Sequence, residues 1–393
     1  MRKNSWLNLI LLVILILTAC QSAPTTDAQQ TEQNSPLPTS QPESAIPDPT
    51  TISQQSDSGK SIAIFEALET DTGQEALKWA RMAVEDFNAS SSVKVTLVEV
   101  DTGGSPATVS TGANELASNR DVLAVVGLGL AGEAITGNVI LDAAGLPVIT
   151  TSGNAQLTQQ GYQNLYRIAP TDDGQGSAAG RFIMEVLNAS KIYLLSQRST
   201  SGPYFEMLNT TFEQAVSAGG GTIVGRNEIS PDTMDAGMLA SEIQAAGADV
   251  VFMGSGSPEQ VVELSKALQG AALIVAHYGA ANSTLLDTEG VYVVSREPAI
   301  PSKFLQHFQN QQSEYSMDGA LVYAATRTAL EAIQRAIEAG NPTPRAVRDE
   351  LAKMNRQSDL LGIPIAFDAN GELNDAQFYV LQVENGEFKT VWP

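Results

Sequence analysis

From Ser61 onward, short runs of aliphatic and β-branched residues (Ile62 to Phe65, Val93 to Val98, Leu123 to Val126, Pro147 to Ile149) alternate with stretches of helical periodicity, Gly73 to Asn88 and Pro106 to Ser118. Apolar strands separated by helices can be buried on both faces only in a parallel sheet sandwiched between helices, so the spacing predicts an α/β fold. A second series follows: Lys191 to Leu195, a helix near Tyr204 to Ser217, Thr222 to Val224, a helix near Ala236 to Ala245, and Val250 to Met253. Val125-Val126-Gly127-Leu128-Gly129 has its counterpart in Phe252-Met253-Gly254-Ser255-Gly256, each leading into an acidic helix. Two similar α/β lobes are the economical reading, and a chain of 393 residues is long enough for both.

The N-terminal part has another character. Arg2 and Lys3 precede an apolar run from Trp6 to Leu17 that is too short to span a bilayer and fits the core of a signal peptide. It ends in Leu17-Thr18-Ala19-Cys20, which resembles the bacterial lipoprotein cleavage signal. Residues 1–19 are then removed and Cys20, the only cysteine, carries the lipid; the alternative is a buried free thiol. Residues 20–60, rich in Gln, Ser, Thr and Pro, have too few apolar side chains to offset the entropy of ordering and read as a tether. One cysteine excludes an internal disulfide, and two histidines leave no zinc-type cluster. A formal charge of -22 disfavours nucleic acid.

Gly127-Leu128-Gly129-Leu130-Ala131-Gly132 follows a strand and opens a helix, matching the dinucleotide-binding pattern. It is not on the first strand of its lobe, and no acidic residue occurs between Asp142 and Asp172 to hold a ribose, so no nucleotide cofactor is expected. What remains is a glycine turn whose backbone N–H groups can reach an anion at a helix start. Thr150-Thr151-Ser152-Gly153-Asn154 clusters hydroxyls and an amide at another strand end, with helix capping as the plainer role. Gly254-Ser255-Gly256-Ser257-Pro258 is the corresponding turn of the second lobe, and His277 and Tyr278 end the strand Leu273 to Ala276. Ser255 lacks a G-x-S-x-G context or a placed base, and no enzymatic activity is expected. Trp79 falls beside Leu77, Met82 and Ala83 at helical spacing and reads as core, while Asp172 and Asp173 read as complements to the next helix N-terminus.

The order of these pieces resembles the periplasmic binding proteins of the leucine/isoleucine/valine type, substrate-binding components of ABC importers. Its carriers are Ala83-Val84-Glu85-Asp86-Phe87-Asn88, Val98-Glu99-Val100-Asp101, Ala144-Gly145-Leu146-Pro147-Val148-Ile149-Thr150, Tyr166-Arg167 before Asp172-Asp173-Gly174-Gln175-Gly176, Ala246-Gly247-Ala248-Asp249-Val250-Val251, Tyr323-Ala324-Ala325 and Phe367-Asp368-Ala369-Asn370-Gly371, spread over residues 61–390. The resemblance implies two Rossmann-like lobes with parallel sheets joined by a three-crossing hinge, the crossings near Ala169 to Thr171, Val294 to Pro298 and Gly362 to Phe367. Lobe one combines 61–170 with 298–364, and lobe two 171–297 with 365–393.

It further implies a small polar ligand, an amino acid, amide or related compound, held between the lobes by Ala131, Gly132, Ser152, Gly153 and Asn154 from the first and Ser201, Gly256, Ser257 and Tyr278 from the second. Carried over position by position, the family's covering aromatic residue falls at Thr72, and its acidic partner for a ligand ammonium falls at Tyr278. The expected molecule is a monomeric extracytoplasmic lipoprotein that works with ABC permease subunits; a cell-envelope regulator on the same fold is the alternative.

Overall fold

The computed structural model describes residues 59–197, 202–230, 233–310 and 317–393, all within one compact unit. The chain runs β1 (Ser61–Glu66), α1 (Asp71–Ser90), β2 (Thr96–Asp101), α2 (Pro106–Ser118), β3 (Val122–Gly127), α3 (Ala131–Ala143), β4 (Val148–Thr150) and β5 (Leu165–Arg167). These five strands form one parallel sheet in the order β2-β1-β3-β4-β5. There follow α4 (Gly174–Glu185), β6 (Lys191–Gln197), α5 (Pro203–Ala218), β7 (Thr222–Ile229), α6 (Ala236–Ala246), β8 (Val250–Met253), α7 (Pro258–Leu268), β9 (Leu273–Ala276) and β10 (Tyr292–Ser295). The chain then supplies α8 (Ser302–Asn310), α9 (Met317–Glu338), α10 (Pro344–Leu351) and the short pair β11 (Arg356–Gln357) and β12 (Pro364–Ile365), before β13 (Tyr379–Glu384) and β14 (Glu387–Trp392) complete a second sheet ordered β14-β13-β10-β9-β8-β6-β7.

Each sheet is covered on both sides, as the apolar strands require. Trp79, Met82 and Phe87 of α1 join Leu321, Leu330 and Ile333 of α9 on one face of the first sheet, and Val109, Leu116 and Leu141 of α2 and α3 cover the other. The second sheet is packed by Leu239, Ile243, Val261 and Leu264 of α6 and α7 on one face and by Phe182, Leu208 and Phe212 of α4 and α5 on the other. Because α8, α9 and α10 serve the first core while β13 and β14 extend the second sheet, the chain passes between the lobes three times. One helix in each lobe starts on a Ser-Pro pair with a reciprocal capping box, Ser105-Pro106 at α2 and Ser257-Pro258 at α7.

Two differences from the sequence reading have simple causes. Strand β7 runs on to Ile229, past the apolar residues Thr222 to Val224, because an edge strand tolerates Arg226, Asn227 and Glu228. The last two strands run antiparallel, joined at Asn385-Gly386, where both residues have positive φ as a tight hairpin turn demands.

The start of α9 is set by a close approach. A Cβ on Gly319 would lie 1.9 Å from Trp79 Nε1, whose N–H donates to Glu75 Oε1 at 2.8 Å. Trp79 is fully buried and meets Tyr323 edge-on, centroids 6.5 Å apart. This contact holds Asp318, the preceding residue, at the rim of the first sheet. Gly319→Ala must push the two helices apart, and we expect a loss of about 1–3 kcal/mol, read as a lower Tm and a changed Trp79 environment in near-UV circular dichroism.

Candidate functional site

Parallel strands of both sheets end on the side where the lobes meet, the region where α/β sheets place ligands. From the first sheet come Glu66 after Phe65 in β1, the turn Leu128 to Leu130 after β3, and Thr151 to Asn154 after β4. From the second come Ser255 and Gly256 after β8, His277 and Tyr278 after β9, and Arg296 after β10.

Arg296 joins the two sets. It is 9% exposed; one terminal nitrogen donates to the Thr151 carbonyl at 2.9 Å, the other to Asp318 Oδ1, and its guanidinium lies 4.5 Å from the centre of the Tyr278 ring. Burial works against its charge, but Asp318 and Asp172 outweigh it and hold the guanidinium cationic. A desolvated cation over an aromatic face is worth about 2 kcal/mol. Tyr278 is also in hydrogen-bond contact with Tyr204, whose hydroxyl donates to Gln175 Oε1 at 2.6 Å, so two phenols from different segments back the same space. Burial raises both phenols, leaving them protonated.

The turn after β4 is fixed from below. Arg167 is completely buried; its Nη1 donates to the carbonyls of Ser152 (3.3 Å) and Asn154 (2.5 Å), and its Nε donates to Glu372 at 2.8 Å. Thr150 Oγ1 accepts the Ser152 N–H and donates to the Leu128 carbonyl, tying this turn to the one after β3. Gly153 lies close under Asp172: a Cβ there would fall 2.0 Å from Oδ1, so any side chain at 153 would displace that carboxyl group. That oxygen is buried and has no hydrogen-bond partner, and burial raises Asp172 although Arg296 and Arg167 pull it down. Asp172 therefore faces the cleft, contrary to the helix-complementing role read from sequence, and Asp173, at the N-cap of α4, makes no side-chain cap.

The other expected residues divide by the work their side chains already do. Ala131 and Gly132 open α3, whose N-cap, Leu130, makes no side-chain hydrogen bond and is 57% exposed, so the first N–H groups are uncapped. Asn154 caps the 3-10 turn Ala155–Gln159, and Ser257 is spent in the capping box of α7. The Gly256 carbonyl meets His277 Nε2 at 2.9 Å, while Nδ1 accepts from the Gly279 N–H; burial lowers this imidazole, which stays neutral and stitches two turns together. Ser201 lies outside the described residues, as does Cys20. Thr72 is exposed in the first turn of α1, so no aromatic covers the cleft from there.

Sequence reasoning passed over Glu66, Arg296 and Asp318. Glu66 is 7% exposed at the tip of an otherwise apolar strand, and its Oε1 accepts the Gly129 N–H at 3.2 Å. Burial, with smaller contributions from Glu133 and Asp318, pushes its carboxyl up to about 8. A charged residue closing an apolar strand (Phe65-Glu66, Val294-Ser295-Arg296) is the signal that would have found two of them. Among the described residues no cluster of three or more metal-ligating side chains occurs.

The profile of the periplasmic binding protein family matches residues 67–387. The chain belongs to that family. An amino acid binding protein of Pseudomonas aeruginosa is 30% identical over 191 residues, 48% of this chain and 50% of that protein. A Leu/Ile/Val-binding protein homolog of Brucella melitensis is 28% identical over 218 residues, 54% and 58%. The chain thus spans little more than half the length of these two relatives, whereas it covers 84% of the leucine-specific-binding protein of Salmonella typhimurium at 24% identity, over 77% of its own length. Among solved structures, a branched-chain amino acid transporter substrate binding protein of Streptococcus pneumoniae in complex with isoleucine superposes with a TM-score of 0.68, 20% identity, and coverage of 85% of this chain and 99% of that one. An ABC transporter substrate-binding protein from Sphaerobacter thermophilus gives 0.69 at 16% identity, covering 85% and 96%. This type I architecture belongs to solute-binding proteins without enzymatic activity.

The acid–base state of the site can be read from stability. Unfolded, Glu66 ionises in the ordinary carboxylate range; folded, it keeps its proton to about pH 8. The native state therefore binds more protons than the unfolded chain between those limits, and stability falls as pH rises through that window. Urea unfolding of the solute-free protein should show this decline between pH 5 and 8, and Glu66→Gln should flatten it.

Proposed function

We propose that this protein is the extracytoplasmic solute receptor of an ABC importer, anchored by lipid on Cys20 and holding its solute between two lobes. The lobes comprise 61–170 with 298–373 and 171–297 with 378–393, the third crossing lying later than the residues 362–367 read from the sequence because Ile365, Phe367 and Leu373 pack in the first core and Phe378 in the second; a signal segment, 1–19, and a tether, 20–60, precede them. Among the described residues no helix is long and apolar enough to cross a membrane; in this reading the N-terminal lipid supplies the attachment. The permease subunits would read the closed form, and the receptor would work as a monomer.

The observation that carries this reading is the convergence at Arg296. Strand tips of both sheets meet there through Thr151, Asp318 and Tyr278, so a molecule lodged beside them touches both lobes. Closure is favoured only to the extent that the solute makes contacts in the closed form that the open form lacks. On the lobe-one side stand the uncapped N–H groups of Ala131 and Gly132, with Ser152, Gly153 and Asn154; on the other stand Gly256, Ser257 and Tyr278, to which this reading adds Ser201. Uncapped N–H groups suit a carboxylate or a carbonyl oxygen, and the phenols add neutral hydrogen bonds. This supports a small polar solute, an amino acid, amide or related compound, in line with the names of the relatives.

Thermal-shift screening against amino acids, amides, short peptides, aromatic acids and sugars should yield stabilising solutes. Saturation at 100-fold over Kd adds about 2.7 kcal/mol. Such a solute should also contract the particle in solution X-ray scattering, and Tyr278→Ala should weaken it at least tenfold. Solutes that bind without contraction, or that ignore substitution of both Tyr278 and Ser152, would remove this assignment. Radiolabelled palmitate should enter the wild-type chain in a bacterial host and should not enter Cys20→Ser.

A further inference from the structure

Glu66 is a carboxyl group in an unusual position. It ends β1, is 7% exposed, and receives one hydrogen bond among the described residues, from the Gly129 N–H to Oε1. The backbone around it is held close: a Cβ on Gly129 would lie 3.2 Å from both Glu66 Oε1 and Thr151 Oγ1. Glu66 and Thr151 therefore flank the same glycine, one residue before the exposed Leu130 and the open start of α3.

The charges around it are mostly of its own sign. Glu133 faces it from α3, with Oε1 bound by Thr102 Oγ1 at 2.7 Å and Oε2 unpartnered. Asp318 faces it from the start of α9, and Asp101, at the end of β2, acts on Glu133. The buried cation of the site, Arg296, is already engaged by Asp318 and by the Thr151 carbonyl. Across the same cleft Asp172 Oδ1 is buried without a donor. Glu66 thus has two carboxyl neighbours, Glu133 and Asp318, and one hydrogen-bond donor, the Gly129 N–H, and an acid so placed is kept neutral by its burial. A solute that brings a cationic nitrogen reverses the balance.

We propose that Glu66 gives up its proton when a cationic nitrogen of the solute docks against it beside the Gly129 turn, so that one proton leaves the cleft for each solute captured. The exchange is balanced: the neutral carboxyl and the ammonium become a carboxylate–ammonium pair, and the proton passes to solvent. The inference rests on the cleft reading above. It gives Tyr278, which stands where the family has an acidic residue, no part in holding the ammonium, and moves that task to the opposite lobe.

The test uses matched probes on the full chain: L-leucine, 3-methylbutylamine and 4-methylpentanoate, which share a side chain and differ in ammonium and carboxylate, with L-lysine and L-phenylalanine and their deaminated acids. Titration calorimetry at pH 7 in buffers of different ionisation enthalpy counts the protons. The expected result is that amine-bearing probes bind and their deaminated counterparts do not, that close to one proton is released per bound amine, and that affinity rises about tenfold per pH unit between pH 6 and 7.5. Glu66→Gln, which keeps the shape and one donor, should release none, lose the pH dependence and bind amines at least tenfold more weakly.

Amines that bind with no proton release, or equally well in Glu66→Gln, overturn the proposal, as does failure of every amine to bind. If deaminated acids bind and contract the particle while Glu66→Gln changes nothing, the inference falls and the cleft reading stands. If amines release a proton without contraction, the assignment to Glu66 stands and the clamp reading falls.

Discussion

The guanidinium of Arg296 is the point on which the rest of the site depends. A buried cation is tolerated only when its charge and its donors are matched, and here the partners come from three segments: the Thr151 carbonyl, the Asp318 carboxylate and the face of Tyr278. Two of these belong to the first lobe and one to the second. The crossing that carries Arg296 is therefore a loaded connection: its position depends on what stands at the tips of β4 and β9 and on the start of α9. That start is in turn set by the contact of Gly319 with Trp79, so packing deep in the first core reaches the cleft rim through a single residue step.

Around this cation the two lobes contribute differently. The first supplies carboxyl groups and backbone N–H groups on turns held rigid by Arg167 and Thr150. The second supplies phenols and turns closed on themselves by His277 and the α7 capping box. A site with rigid turns on one side and neutral phenols on the other favours a small polar solute with charge on the lobe-one side. Glu297, beside Arg296 in the same crossing, is 1% exposed with both oxygens unpartnered, and burial raises its carboxyl well above the usual range although Arg296 pulls it down.

Much of the architecture was legible in the sequence because burial on both sheet faces leaves a one-dimensional trace. Val250 to Met253, Leu273 to Ala276 and Pro106 to Ser118 form the elements their patterns imply, and the paired glycine turns mark the two lobes. The antiparallel hairpin Tyr379 to Trp392 was not foreseen, since its half-exposed alternation carries a weaker signal. At the candidate site the turns were legible and the charges were not. Asp172 looked like a helix complement because nothing local tells a capping carboxylate from one that turns toward a cleft. Glu66, Arg296 and Asp318 are brought together over 252 residues of chain by the crossings alone. Their association is a property of the tertiary fold, and single-sequence periodicity carries no trace of it.

The central claim is that one solute touches the strand tips of both lobes at once. A crystal structure of the protein grown with a solute that stabilises it would test this directly. The account predicts density between the Gly129 and Ser152 turns on one side and Tyr278 on the other, within hydrogen-bond distance of groups from each lobe. Density that contacts one lobe only, or that occupies the groove of about 560 Å³ beside Asp86, Tyr323 and Arg327 on the first lobe, would contradict it.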